Sequence, residues 1–359
     1  MAGNQPLRGT TRRRFLTATG TGVGALALAG CSGGGNGDDG GSDEYERVSV
    51  GYGEQGSAMN EGRLDVGVGT YLNFQIAPGW LQDMMAQVDL RILGVPDDVL
   101  EDWEGDDRLL VQSFPGEELE NAAYIPDEVH CPTFAYNFVT RNDLDYDTVY
   151  EFMTTLYENR DQLGEYSAVL ERLENEEFWL ENMYDGVPFH PAAADFYQEN
   201  GLWSDEFERA DEPDEQVGGS QDGEAQFRMR TSGSTTSAYA ANQGMAAVVN
   251  ENTDEVFVEA QTSPGTEANM GALNNEEAES VYIQNWSAQD VRDGNEPYDN
   301  LNFEMTQVMH FYDLPWFFCT ANEGWETLAD IESGSSISPT PSGSGTAPAL
   351  EHALGYVFD

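Results

Sequence analysis

Met229-Arg-Thr-Ser-Gly-Ser-Thr-Thr-Ser-Ala-Tyr239, continuing as Ala-Ala-Asn-Gln-Gly-Met-Ala-Ala-Val-Val249, carries the reading of this chain. A short apolar/polar alternation ends in small hydroxyl residues around one glycine and then opens an Ala-rich segment with helical spacing, which predicts strand, tight loop and helix. Such a loop offers an anion free backbone N–H groups, hydroxyls and the positive end of a helix dipole. Taken alone, the same letters also describe an ordinary Ser/Thr-capped surface helix. Ser338-Pro-Thr-Pro-Ser-Gly-Ser-Gly-Thr-Ala347 repeats the chemistry after a β-like Ser335 to Ile337 and before a helical Pro348 to Tyr356. Two such loops facing each other make a cleft for a small polar ligand.

The whole chain sets the limits. Its 359 residues, 39% hydrophobic, suffice for two α/β lobes with a sizeable core. Acidic residues number 66 against 15 basic ones, for a net charge of −51, and every basic residue is arginine. Apolar and aromatic content argues against disorder, so this is a folded core under an acidic shell, suited to molar salt where the Debye length falls to roughly 3 Å. Nucleic acid is excluded as a partner by that charge.

Thr10-Thr-Arg-Arg-Arg-Phe-Leu16, a short apolar run to Ala29 and Leu28-Ala-Gly-Cys31 read as a twin-arginine lipoprotein signal over 1–31, with Cys31 as the lipidated residue. Membrane attachment is then through lipid alone, because no other run is long enough to span a bilayer. Residues 32–47 form an acidic tether; the thirteen from Ser32 to Glu44 reach on the order of 20 Å. Cys131 and Cys319 remain, as one disulfide or, preferably, as two buried thiols.

From Val48 the chain alternates strands and helices: strand at Val48 to Tyr52, helix at Gln55 to Arg63, strand at Leu64 to Thr70, helix at Gln82 to Gln87, strand at Val88 to Leu93. An irregular stretch follows to about Asp127. Thr133 to Thr140 is the best strand, and helices are predicted over Tyr146 to Glu158, Gln162 to Phe178 and Ala192 to Glu199. Residues 204–226 read as an acidic linker. Beyond the opening loop come a strand at Val256 to Ala260, a helix at Met270 to Ala278, a strand at Ser280 to Asn285 and two apolar pieces, Val308 to Tyr312 and Trp316 to Thr320.

Together these pieces resemble the solute-binding receptors of the TAXI branch of TRAP (tripartite ATP-independent periplasmic) transporters. The resemblance lies in Thr231 to Tyr239, Thr262-Ser-Pro-Gly-Thr-Glu-Ala-Asn269, Ile283-Gln-Asn285, Thr327-Leu-Ala-Asp-Ile331 and Gly343-Ser-Gly-Thr346. It continues in Asn137-Phe-Val-Thr-Arg-Asn-Asp-Leu144, Leu156-Tyr-Glu-Asn159 and Val187-Pro-Phe-His-Pro-Ala-Ala193, segments that come last in that family and first here. The chain therefore reads as a circular permutant, with Asp359 expected near Val48. Ser42-Asp-Glu-Tyr-Glu-Arg47 recurs almost unchanged as Ser204-Asp-Glu-Phe-Glu-Arg209, as if both joints used one short sequence.

The resemblance implies a two-lobed α/β fold of the periplasmic-binding-protein-like (type II) kind, hinged between its lobes. Residues 227–334 and 129–203 would build lobe one; 335–359 and 48–128 would build lobe two with the crossover. It implies a monomeric, extracytoplasmic receptor that captures a glutamate- or 2-oxoacid-like carboxylate for a TRAP membrane permease, without chemistry on the ligand. The cleft would be lined by Ser232, Gly233, Ser234, Thr235 and Tyr239, by Thr262, Thr266 and Asn269, and by Gln284 and Asn285. Ser342, Gly343, Ser344 and Thr346 would face them, with Thr70 and Tyr71 beside them. Arg228 and Arg230 precede the first loop and are read as surface residues. A ligand-sensing lipoprotein coupled to a signalling partner is the alternative. An enzyme is not expected, because His130, His190, His310 and His352 show no metal-ligand spacing and flank no nucleophile elbow. No cofactor is expected. The seven tryptophans are dispersed and read as core or surface.

Overall fold

The computed structural model describes residues 45–220, 223–234, 236–341 and 344–358. In chain order the strands are β1 (Glu46–Arg47), β2 (Val66–Thr70), β3 (Arg91–Ile92), β4 (Leu110–Pro115), β5 (Glu128–Arg141), β6 (Ala225–Arg230), β7 (Val256–Gln261), β8 (Ser280–Gln284), β9 (Met305–Thr320) and β10 (Ser336–Ile337). The helices are α1 (Gln55–Asn60), α2 (Gly79–Gln87), α3 (Asp97–Gly105), α4 (Tyr146–Glu158), α5 (Leu163–Tyr166), α6 (Pro191–Glu199), α7 (Ser237–Asn252), α8 (Thr266–Asn274), α9 (Asn285–Asp293) and α10 (Ala347–Phe358).

All strands join one mixed sheet in the order β1-β10-β2-β9-β5-β8-β6-β7, with β3 on β9 and β4 on β5 beside that path. Each end of the sheet is parallel: β1, β10 and β2 at one, β8, β6 and β7 at the other. Parallel strands require crossover helices on both faces, and β2 and β8 are accordingly buried along their whole length. Between the two ends run β5 and β9, long antiparallel strands of 14 and 16 residues shared by both. Two lobes result, each wrapped around its own parallel set and joined through these two strands. Four apolar clusters fill the faces, two on each lobe. Every fully buried Leu or Phe in them contributes roughly 1.5–3 kcal/mol.

The Val-Gly-Val-Gly text of β2 shows how tightly this is built. Val66 and Val68 enter one cluster, while Gly67 and Gly69 face the other; a Cβ at Gly69 would stand 2.2 Å from the Phe317 ring, and one at Gly67 2.3 Å from Gln55.

Several expected elements differ. No strand forms over Val48 to Tyr52: β1 ends at Arg47, Val50 N–H is taken by the Ser338 hydroxyl and a 3-10 turn follows at Tyr52–Glu54. The stretch read as irregular holds α3 and β4: α3 buries Val99 and Trp103, whose indole N–H donates to Ala353 O at 2.9 Å, and β4 exists because β5 pairs with it. The helix expected from Gln162 to Phe178 breaks into α5 and 3-10 turns, because Ser167 and Asn175 side chains cap Val169 and Glu177 locally and interrupt the α-helical bonding. The two apolar pieces after Val308 are one strand, β9.

Residues 209–217 of the 204–226 stretch are docked on the fold. Arg209 makes a two-pronged contact with Asp195 at 2.9 Å, Ala210 N–H donates to Phe189 O, and Val217 N–H to Asp143 O. Cys131 and Cys319 are free, buried thiols whose acidity burial suppresses. Tyr45 stacks on Phe358 at 5.4 Å, so the two extremities of the described fold meet; Cys31 and Asp359 lie outside the described residues. No helix among the described residues is long and apolar enough to cross a membrane.

His190 caps α6 as a neutral ring: its Nδ1 accepts from Ala192 N–H, which leaves Nε2–H to donate to Leu144 O at 3.1 Å. Burial lowers its pKa from 6.5 to about 4. The unfolded chain takes up this proton near pH 6.5 and the folded chain only near 4, so the ring costs stability as pH falls through that window, by about 3 kcal/mol at the bottom. His190→Asn keeps a cap acceptor and loses the titration. Denaturant melts at pH 7, 5.5 and 4.5 should show a shallower acid loss in the variant than in the parent; equal losses would refute the assignment.

Candidate functional site

Crevices outside the carboxyl ends of parallel strands are where open α/β sheets bind ligands. After β6, the loop from Thr231 leads to Thr236, whose hydroxyl accepts from Tyr239 N–H at 3.1 Å and caps α7. After β7, the chain reaches α8 through Gly265 at φ 154°, a backbone state L side chains rarely adopt. The two loops are tied: Ser263 N–H donates to Ser232 O at 3.1 Å, and Asn269 Nδ2 to Thr231 O at 3.0 Å. From the other lobe the loop before α10 closes on them. Gln284 Nε2 donates to Gly345 O at 2.8 Å, and a Cβ on Gly345 would lie 3.0 Å from Thr266 Oγ1. The N-termini of α7, α8 and α10 thus stand next to one another across the lobes.

The expected site residues fall as follows. Gly233 and Ser234 are exposed, Ser232 and Tyr239 are half-buried, and Thr235, Ser342 and Gly343 lie outside the described residues. Thr262 is exposed and its carbonyl accepts from Arg230 at 3.4 Å. Gln284 also caps α9 by accepting from Ser287 N–H. Asn285 is turned to the shared strands, its Oδ1 accepting from Ala135 N–H at 3.1 Å. Ser344 and Thr346 hydroxyls lie 2.8 Å apart. Thr70 is buried, with its hydroxyl donating to Pro315 O at 2.6 Å. Tyr71 stands apart from the loops: it packs on Phe114 and lines a groove of about 630 Å³ with Gln82, Met85 and Leu119.

An aromatic group joins these loops that sequence reasoning missed. Tyr282 stands beside Ser232, and Tyr52 beside Ser344 and Thr346. Tyr136 stacks flat on Tyr312 at 4.8 Å and meets Tyr282 edge-on at 5.5 Å. Tyr52 stacks on Trp316 and Trp80 at 5.4 and 5.2 Å. Trp80 and Trp316, distant in sequence, therefore share one cluster. Burial pushes the Tyr136, Tyr282 and Tyr312 phenols far above their ordinary pKa, so they remain neutral donors. The only sequence signal was the alternating aromatic pattern of Phe134, Tyr136 and Phe138.

The two loop arginines separate. Arg228 grips Glu279 through Nε at 2.9 Å and Nη2 at 2.5 Å. Arg230 has no acidic partner among the described residues, whereas every other arginine there lies within ion-pair reach of a carboxylate. Its Nε is buried and unpaired.

A wider groove of about 1100 Å³ opens elsewhere, lined by Asn73, Phe114, Glu118, Asp161, Glu165, Glu171 and Glu174. Its carboxylates outnumber the one arginine that lines it, Arg172, and repel an anion. Among the described residues no cluster of three or more His, Cys, Asp or Glu side chains is placed to hold a metal ion.

The model of the NMT1-like family matches residues 18–201 and 229–357. No curated protein matches the chain. Among solved structures, a phosphate-binding protein of a phosphate ABC transporter from Streptococcus pneumoniae TIGR4 is 10% identical at a TM-score of 0.34, over 88% of this chain and 84% of that one. NikA from Brucella suis, in complex with Fe(III)-EDTA, is 10% identical at 0.27, over 74% of this chain and 55% of that one. The oligopeptide-binding protein AppA from Bacillus subtilis, in complex with a nonapeptide, is 12% identical at 0.25, over 68% and 54%. The chain spans about half the length of the last two.

The Gly345 contact yields a test of lobe closure. Gly345→Val places bulk against Thr266 and should prop the lobes apart, seen as a larger radius of gyration in small-angle scattering. Thr266→Ala in the same background should reverse part of the change. No change in the single variant would show that this contact does not limit closure.

Proposed function

The chain belongs to the NMT1-like family, and from that premise we propose that it is an extracytoplasmic solute-binding receptor that captures a small carboxylate between its lobes. The observation that carries the reading is the meeting of the α7, α8 and α10 N-termini across the lobes, beside Arg230, which has no acidic partner among the described residues. In a chain of net charge −51, an anion is held only where local positive potential is concentrated. Helix N-termini and one guanidinium without an acidic partner among the described residues supply that potential, and small hydroxyls complete the hydrogen bonding.

We further propose the TAXI-type TRAP assignment, in which the closed lobes present a surface to a membrane permease. Capture needs only higher ligand affinity in the closed state than in the open one. The twin-arginine signal and lipidation at Cys31 would tether the receptor outside the membrane, as a monomer, and the acidic shell would suit it to molar salt. The meeting of Tyr45 with Phe358 supports a permuted order, since a cut there joins neighbours in space.

Thermal melts of the full chain in molar KCl against glutamate, 2-oxoglutarate and other small carboxylates test the proposal. A ligand at a hundredfold excess over Kd should add roughly 2.7 kcal/mol; sugars and cations should not. Arg230→Gln should weaken binding ten- to a hundredfold and leave the unliganded melt in place, because the lost bonds are charge-assisted. Arg228→Gln should do the reverse, lowering the melt by exposing buried Glu279 to an unpaired state while affinity holds. Carboxylates without effect on the parent chain would overturn the proposal. The melt should also fall as KCl is diluted, since screening of the −51 charge is lost.

A further inference from the structure

We infer that the carboxylate taken by this cleft is a monocarboxylate with an aromatic or other planar apolar body, an inference that rests on the carboxylate-receptor reading. Its basis is what the two lobes place between the loops. Tyr52 stands beside Ser344 and Thr346 of one lobe, and Tyr282 beside Ser232 of the other. Tyr136 and Tyr312 lie between them on the shared strands, stacked at 4.8 Å, and neither hydroxyl reaches a hydrogen-bond partner among the described residues. Trp316, 3% exposed and stacked on Tyr52, has a buried indole N–H with no partner. Buried polar groups are normally paired, so the unpaired indole N–H of Trp316 at the meeting of the two lobes marks where a ligand acceptor belongs.

The charge around them narrows the ligand. The phenols of Tyr45, Tyr71, Tyr124 and Tyr146 all feel nearby carboxylates, as expected in so acidic a chain. Tyr52, Tyr136, Tyr282 and Tyr312 are hydrogen-bonded to none among the described residues. Among the described residues a ligand ammonium would find no carboxylate bonded to these tyrosines, and a second ligand carboxylate would find no second arginine without an acidic partner. Both would be desolvated at a cost. The half-buried rings of Tyr52, Trp80 and Tyr136 instead offer apolar surface against which a planar body stacks. One anionic end and one flat apolar body satisfy the whole set.

Titration of the full chain in molar KCl, followed by tryptophan fluorescence, decides it with benzoate and phenylacetate against succinate, 2-oxoglutarate and glutamate. The expected result is at least tenfold tighter binding of an aromatic acid. Tyr136→Phe and Tyr312→Phe should each weaken it roughly three- to tenfold, the worth of one hydrogen bond, with the unliganded melting temperature unchanged. Tighter binding of glutamate or a dicarboxylate would overturn this inference and leave the carboxylate receptor standing. Binding of none of the five would overturn both. Aromatic binding that both tyrosine variants retain in full would overturn the assignment of the donors.

Discussion

The pairing of β5 with β9 is the constraint on which the rest of this molecule depends. The parallel set of one lobe attaches through β8 on β5, and that of the other through β2 on β9, so the register from Thr133↔Pro315 to Arg141↔Met305 fixes how the two halves lie. Side chains reinforce it from within. Asn137 Oδ1 meets His310 Nδ1 at 2.7 Å, Asn182 Nδ2 donates to Asp313 Oδ1 at 2.9 Å, and Asp313 N–H donates to Asn73 Oδ1 at 2.9 Å. A slip of one residue would reverse every side chain along these strands and bury this polar set without partners. Register irregularities at Tyr136/Asn137 and Phe138/Val139 bend the pair where the lobes meet.

Electrostatics then divides the surface from the cleft. With far more carboxylates than cations, each guanidinium is claimed by an acid wherever one is near, and isolated exposed pairs of this kind are worth little individually. Their value here is local neutralisation, as Arg209 does for Asp195 where residues 209–217 dock. Against that background the arginine without an acidic partner among the described residues, the adjoining helix N-termini and the tyrosines around them form the setting proposed for an anion. The same acidic excess makes the larger groove at Asp161, Glu165, Glu171 and Glu174 unsuitable for it.

Local chemistry was legible wherever its period was strong. α4 runs over Tyr146–Glu158, as its spacing predicts, and β8 and α7 follow closely from their text. Legibility failed where a distant partner decides. β4 has little strand character of its own and forms because β5 presents an edge; the Gln162 to Phe178 stretch has helical spacing, but Ser167 and Asn175 caps divert it. In the proposed site, the Gly/Ser/Thr loops could be singled out from sequence as candidates, since glycine and small hydroxyls after a strand suit an anion loop as well as a helix cap. Tyr52, Tyr136, Tyr282 and Tyr312 could not, because a tyrosine in a strand reads as core until its neighbours are known.

Composition and periodicity by themselves determined the acidic shell, the α/β alternation and the loops that open α7 and α10, because each is a property of adjacent residues. Tertiary structure alone decided that three helix N-termini adjoin, that Trp80 and Trp316 share one aromatic cluster, and that Arg228 is paired with Glu279 while Arg230 is not. The two arginines stand two residues apart on the same face of β6, so nothing local distinguishes them. What separates them is which end of strand and loop each side chain meets once β6, β7 and β8 lie side by side: Glu279 at the start of β8 for one, and only the Thr262 carbonyl for the other.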